Sequence, residues 1–147
     1  DILHSRVARS NIVGMRMLGI DVTLVGPPTL LPDEFAQDGV RIERDFDAVL
    51  PHLDAVMMLR IQRERISASL LPTLADYTIG YQLGAQRLRL LPQNAIILHP
   101  GPYNRGVELT DGALADPRSR YEIQVSNGVY VRMAALDLLV NGSVVRV

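Results

Sequence analysis

Hydrophobic positions fall at helical spacing over Ser5 to Leu18. Val7, Ile12, Met15 and Leu18 share one side, Arg9 and Arg16 face elsewhere, and Gly19 follows as a stop. The period then shortens. Asp21 to Gly26 is a short β-branched run closed by Gly26-Pro27-Pro28, which predicts a buried strand and then a loop. Pro32 to Gln37 predicts a short helix opened by proline and acidic residues, Val40 to Ile42 a brief strand, and Asp45 to Leu50 another short helix. Asp54 to Arg60 is a continuous apolar run ending in charge, the pattern of a central parallel strand. From Ile61 to Asp76 the periodicity fades into a polar loop with helical pieces. Gln82 to Leu91 predicts a helix despite Gly84, and Ala95 to Leu98 a second buried strand. Thr110 to Leu114 predicts a turn of helix. Tyr121 to Leu139 is a long terminal helix carrying Ile123, Val125, Val129, Met133, Leu136 and Leu139.

Strands alternating with helices define an α/β protein. The expected architecture is a three-layer sandwich with a mainly parallel, Rossmann-like sheet and helices on both faces. No internal repeat, low-complexity tract or interdomain linker interrupts the 147 residues, which are enough for one substantial core. In such sheets ligands gather beyond the carboxyl ends of the strands. Two strand ends carry unusual chemistry here: Leu59-Arg60-Ile61-Gln62 and His99-Pro100-Gly101-Pro102.

Composition narrows the possibilities. The net charge of −1 and the absence of any long run of one sign give no basis for a nucleic acid or charged membrane as partner. No apolar stretch approaches a bilayer span of about 20 residues. Cysteine is absent, which excludes disulfides and thiolate chemistry and agrees with a cytoplasmic location. All 15 basic residues are arginine, so lysine Schiff bases and a P-loop lysine are excluded and planar recognition of carboxylate or phosphate remains. A gene rich in arginine codons produces the same bias.

The candidate residues sit at the strand ends and the first helix. Arg60 should emerge at the sheet's rim with Gln62 facing the same way, a five-donor fork beside a donor and an acceptor; Glu64 can orient the fork by pairing with a guanidinium. The same stretch also reads as a solvated charged loop. Arg6 opens the first helix, where free N–H groups favour anions, or is an ordinary surface arginine. In His99-Pro100-Gly101-Pro102, two prolines around glycine stop the ladder and leave carbonyls without N–H partners, ready for a ligand's amino group. Gly101 removes a side chain that would block approach, and Gly101-Pro102 suits a cis peptide; a rigid structural turn is the competing reading. His4, His52 and His99 have no ligand spacing, so no metal is expected. Neither G-x-S-x-G nor G-x-G-x-x-G occurs, so a serine nucleophile and a dinucleotide cofactor are not expected either.

Three segments together resemble bacterial aspartate carbamoyltransferase catalytic chains, in the family's order and over essentially the whole chain. They are His4-Ser5-Arg6-Val7-Ala8-Arg9-Ser10, Met58 to Arg65, and His99-Pro100-Gly101-Pro102-Tyr103-Asn104-Arg105-Gly106-Val107-Glu108. The resemblance implies that Arg6 and Arg60, assisted by Gln62, bind the two carboxylates of L-aspartate. It implies that the carbonyls of Pro100 and Gly101 hold the amino group of carbamoyl phosphate, with Pro102 completing the turn and Glu64 and His99 in support. The implied reaction is attack of the aspartate amine on the carbamoyl carbon, giving N-carbamoyl-L-aspartate and phosphate in pyrimidine biosynthesis, without a cofactor. Positioning and charge stabilisation suffice for such a transfer.

The departures from the family are equally specific. Its phosphate-binding Ser-Thr-Arg-Thr-Arg segment belongs to an amino-terminal domain that these residues do not contain, and the strand that precedes Asp1 in the family is missing too. The expectation is therefore an aspartate-binding domain over 1–147, with little transferase activity by itself. Its helix 121–139 should pack on the carbamoyl-phosphate domain, in a homotrimer of full-length chains. Three rival readings remain at this point. An ornithine-type carbamoyltransferase would carry His-Cys-Leu-Pro in place of His99-Pro100-Gly101-Pro102. A non-catalytic subunit would scaffold dihydroorotase; a regulatory subunit is a further potential partner. A generic nucleotide-binding module would need a phosphate loop.

Overall fold

The computed structural model describes residues 1–36, 39–62 and 73–142. Helix α1 (Arg6–Met17) begins where Ser5 caps it, the Ser5 hydroxyl accepting from the Ala8 N–H at 3.1 Å, a contact worth about 1 kcal/mol in general. Its buried side, Ala8 and Ile12, packs with Ile2, Leu24, Leu31 and Val40. Strand β1 (Val22–Val25) pairs in parallel with β2 (Val40–Glu43), Val22 opposite Val40 and Val25 opposite Glu43. Between them the expected helix at Pro32 is a single 3-10 turn, Asp33–Phe35; Gln37 lies outside the described residues. Helix α2 (Phe46–Val49) is capped by the Asp45 carboxylate and continues as a 3-10 turn to His52.

Strand β3 (Ala55–Met57) pairs in parallel with β4 (Ile96–Leu98), Ala55 opposite Ile96 and Met57 opposite Leu98. The ladder extends one bond further at each end: the Ile96 N–H donates to the Asp54 carbonyl at 3.0 Å, and the Met58 N–H to the Leu98 carbonyl at 2.9 Å. On the other side of β4, Ile97 donates to the Arg118 carbonyl at 3.1 Å and accepts from Arg120 at 2.9 Å, so residues 118–120 flank it, which the sequence reading missed.

The expected single parallel sheet is, among the described residues, two parallel pairs. Consecutive residues of β1 and of β3 line one cavity of about 550 Å³, together with Asp1 and Ile2. Alternate residues would mark a sheet face; consecutive ones mark an edge. The free edges of the two pairs therefore face each other. Asp54 and Met58 bond toward β4, so by alternation the backbone groups of Ala55 and Met57 turn toward this gap.

Two helical expectations change. Helix α3 (Leu74–Tyr81) was hidden in the weakly periodic stretch; Thr73 caps it, accepting from the Asp76 N–H at 3.0 Å. The helix expected over Gln82 to Leu91 is only α4 (Ala85–Leu88), because Leu83 is extended and bridged to Leu109, and Gly84 caps the turn. Helix α5 (Asp111–Leu114) follows its Thr110 cap as expected. Helix α6 (Tyr121–Asn141) ends at Gly142 with φ +68. None of its residues is buried, and Ile123, Val125, Val129, Met133, Leu136 and Leu139 are all exposed.

Much of the arginine surplus serves the backbone. Arg44 donates to the Gly26 and Leu31 carbonyls, and Arg87 to those of Ile79 and Gln82. Arg118 reaches the carbonyls of Leu88, Leu91 and Pro92 at 2.8–3.2 Å while the Asp116 carboxylate grips its other edge. The pairing lowers the Asp116 pKa chiefly through the hydrogen bond from Arg118. Removing this partly buried fork strands three carbonyls and a carboxylate. Arg118→Ala should lower unfolding free energy by about 2–4 kcal/mol in denaturant titration of the full-length protein; a loss below about 1 kcal/mol would contradict the assignment.

Candidate functional site

Two neighbouring parallel strands deliver the candidate residues. Because Met57 lies opposite Leu98, Arg60 and Gly101 each stand three residues beyond a paired position, at the same end of the β3–β4 ladder. Leu59, Arg60 and Gln62 are half-buried, whereas Ile61 between the last two is fully buried. Ile61 packs with Leu30 and Tyr77 beneath the rim. Glu64 falls in 63–72, outside the described residues.

Arg6 is the first residue of α1 and is exposed. The chain before it is pinned: the Leu3 N–H donates to the Leu30 carbonyl at 2.9 Å, and the Asp1 carboxylate accepts the His4 N–H at 3.2 Å and meets the His4 Nδ1 at 2.8 Å. Leu59 at the end of the β3 segment packs against the cluster containing Ile2 and Ala8, so the start of α1 and the approach to Arg60 rest on common apolar contacts.

The loop after β4 is rigidly specified. His99 is fully buried; its N–H donates to Gln124 Oε1 at 2.9 Å, and its Nδ1 accepts from the Gly101 N–H at 2.9 Å. An accepting Nδ1 places the proton on Nε2. Burial lowers the ring's pKa from 6.5, against a weaker opposing pull from Glu108, so the neutral form is favoured. The ring also meets Tyr103 and Tyr121 edge to face. His99 is therefore tied into the turn by hydrogen bonds to Gln124 and Gly101.

Gly101 has φ +65 and a cis bond to Pro102. A β-carbon at Gly101 would lie 3.3 Å from the Tyr121 hydroxyl, so the missing side chain also makes room for α6. The carbonyls of Pro100 and Gly101 accept no hydrogen bond among the described residues, and both residues are half-buried. Nor, among the described residues, do three or more His, Asp or Glu side chains gather in a metal-binding group.

Sequence reasoning missed the residue that joins the two loops. Glu108, fully buried, accepts the Ile61 N–H at 2.7 Å and the Asn104 side-chain amide at 2.7 Å on Oε1, and the Asn104 N–H at 2.8 Å on Oε2. The Asn104 amide also donates to the Ile61 carbonyl at 3.0 Å. The available signal was an acid set between Val107 and Leu109, where a solvated charge is out of place.

Comparison with known proteins identifies the family. The model of the aspartate/ornithine carbamoyltransferase Asp/Orn binding domain matches residues 1–139. The aspartate carbamoyltransferase catalytic subunit of Acidothermus cellulolyticus is 54% identical over 142 residues, covering 97% of this chain and 44% of its own. That of Salinispora tropica is 51% identical over 146 residues, covering 97% and 47%. The chain thus spans less than half the length of these curated relatives. Among solved structures, aspartate transcarbamoylase from Trypanosoma cruzi with carbamoyl phosphate superposes with a TM-score of 0.65 at 32% identity, over 80% of this chain and 41% of that one. The same enzyme with N-(phosphonacetyl)-L-aspartate matches at TM-score 0.65 and 33% identity, over 80% and 40%. Ornithine carbamoyltransferase from Burkholderia thailandensis, at 20% identity and TM-score 0.71 over 90% and 43%, shares the fold. The chain therefore belongs to the aspartate/ornithine carbamoyltransferase family, its residues 1–139 matching the Asp/Orn binding domain.

Proposed function

We propose that this chain supplies the L-aspartate site of an aspartate carbamoyltransferase, working with a carbamoyl-phosphate-binding half that lies outside these 147 residues. The observation that carries the reading is the β3–β4 register: Arg60 and the Pro100–Gly101 carbonyls leave the same end of adjacent strands. A cationic fork beside carbonyls that accept no hydrogen bond among the described residues suits a carboxylate on one side and an amino group on the other. Arg60 and Arg6 hold the two carboxylates of L-aspartate, with Gln62 adding a donor or acceptor. The carbonyls of Pro100 and Gly101 accept from the carbamoyl NH2, and Pro102 and His99 keep the turn in shape. Glu64 orients a guanidinium in this proposal.

With the diacid so held, its α-amine faces the carbamoyl carbon. The N–C bond forms as the C–O bond to phosphate breaks, and the proton that the amine gives up leaves on the departing inorganic phosphate. No group of this chain forms a covalent intermediate; the contribution is orientation and neutralisation of charge. The curated relatives' names favour aspartate over ornithine as the second substrate. On the resemblance alone, the full-length protein is a cytoplasmic homotrimer acting in pyrimidine biosynthesis.

The remaining half also completes this domain in our reading. The polypeptide leading into Asp1 runs as an extended strand between the free edges of β1 and β3, and the amino-terminal domain covers α6. Asp1 and Ile2, both buried and both lining that gap, support the path. In the full-length protein the Ala55 and Met57 amides should then exchange with deuterium as slowly as that of Val56, which faces β4; much faster exchange at both would contradict an added strand. For the site, Arg60→Ala should raise the KM for L-aspartate about 100-fold while carbamoyl phosphate binding stays within about threefold. Equal loss of both substrates, or of neither, would contradict the division of labour.

A further inference from the structure

Glu108 is a carboxylate with no exposure to water, held entirely by N–H donors: one from Ile61 and two from Asn104. Among the described residues no guanidinium or imidazole hydrogen-bonds it. Burying such a charge is costly, and a buried ionic group is often replaceable by apolar packing without loss of stability. A carboxylate persists in such a place only where its bonds specify something packing cannot. Here they join two loops that are 47 positions apart in the chain.

The two loops are the ones the proposed function uses. Ile61 sits between Arg60 and Gln62, and its backbone is gripped on both sides, N–H by Glu108 and carbonyl by Asn104. Asn104 follows Pro100–Pro102 in the same loop. The base of the grip is firm, because the Leu83 N–H donates to the Glu108 carbonyl at 2.9 Å and Val107 turns back onto Asn104 at 3.0 Å. Beyond Met58 and Leu98 the ladder's own hydrogen bonds have ended, so the Glu108–Asn104 pair takes over the registration of the loops.

We propose that Glu108 and Asn104 are positioning residues for carbamoyl transfer, fixing the spacing between the aspartate-binding and carbamoyl-binding loops without touching either substrate. The proposal rests on the reading given under Proposed function. It predicts a division that a merely stabilising pair would not produce. Each substrate alone is bound chiefly by one loop and tolerates a shift of that loop. A ligand that spans both, and the reaction itself, need the two loops in register.

The test uses full-length Glu108→Gln, which keeps size but turns an amide donor toward the Asn104 donors. L-aspartate affinity in the presence of phosphate, and carbamoyl phosphate affinity, should each stay within about threefold, while N-(phosphonacetyl)-L-aspartate affinity and kcat should each fall about 30-fold or more. If Glu108→Gln does not fold, Asn104→Ala decides, with the same pattern at about 10-fold. Loss of all ligands in equal measure, an unchanged response to the spanning ligand, or failure of both variants to fold would overturn the positioning role. Failure of the underlying reading looks different: the unsubstituted protein would bind neither L-aspartate nor the spanning ligand.

Discussion

Where β3 and β4 stop pairing, the chemistry proposed for this domain begins. A parallel pair has one carboxyl end, and whatever follows both strands is delivered to the same side. The register that sets Met57 against Leu98 thereby sets a guanidinium-bearing loop against a carbonyl-bearing one. Everything else in the site refines that placement. His99 fixes the turn from within, Tyr121 fills the space a side chain at Gly101 would occupy, and Glu108 ties Ile61 to Asn104 across the gap. The side chains proposed to meet substrate are few, and the apparatus beneath them is buried and hydrogen-bonded.

The packing explains why such precision is available. Val56, Met58 and Ile97 anchor the ladder in the largest apolar cluster, with Leu50, Leu83 and Leu109 fully buried or nearly so. Burying each such aliphatic side chain contributes about 1.5–3 kcal/mol. A core of that kind holds the strand ends still, so the loops need only short-range devices to finish the geometry. By contrast, among the described residues, the edges of β1 and β3 present unpaired backbone and much of α6 presents exposed apolar side chains. These are the surfaces that a longer chain has most to gain by covering.

What the sequence made legible was local. β-branched and apolar runs marked β1, β3 and β4, and helical spacing marked α1 and α6. Proline around Gly101 pointed to the turn and its cis bond. What stayed hidden depended on partners distant in the chain. Leu83 leaves the helical pattern because Leu109 bridges to it. Residues 118–120 bridge to the ladder because Ile97 offers them a second edge. Glu108 stands out only faintly, between Val107 and Leu109, and its role depends on the distant Ile61 N–H that it accepts. The arginines were misleading in the same way: read as a supply of anion-binding forks, several prove to be braces on backbone carbonyls, as at Arg44, Arg87 and Arg118.

The central claim is that one end of the β3–β4 pair holds both reacting groups. A crystal structure of the full-length protein with N-carbamoyl-L-aspartate and phosphate tests it most directly. The account predicts the Arg60 and Arg6 guanidiniums on the two carboxylates of the product, and the Pro100 and Gly101 carbonyls within hydrogen-bond distance of its carbamoyl NH2. Either guanidinium turned away from the diacid, or a carbamoyl group seated elsewhere than on that turn, would contradict it.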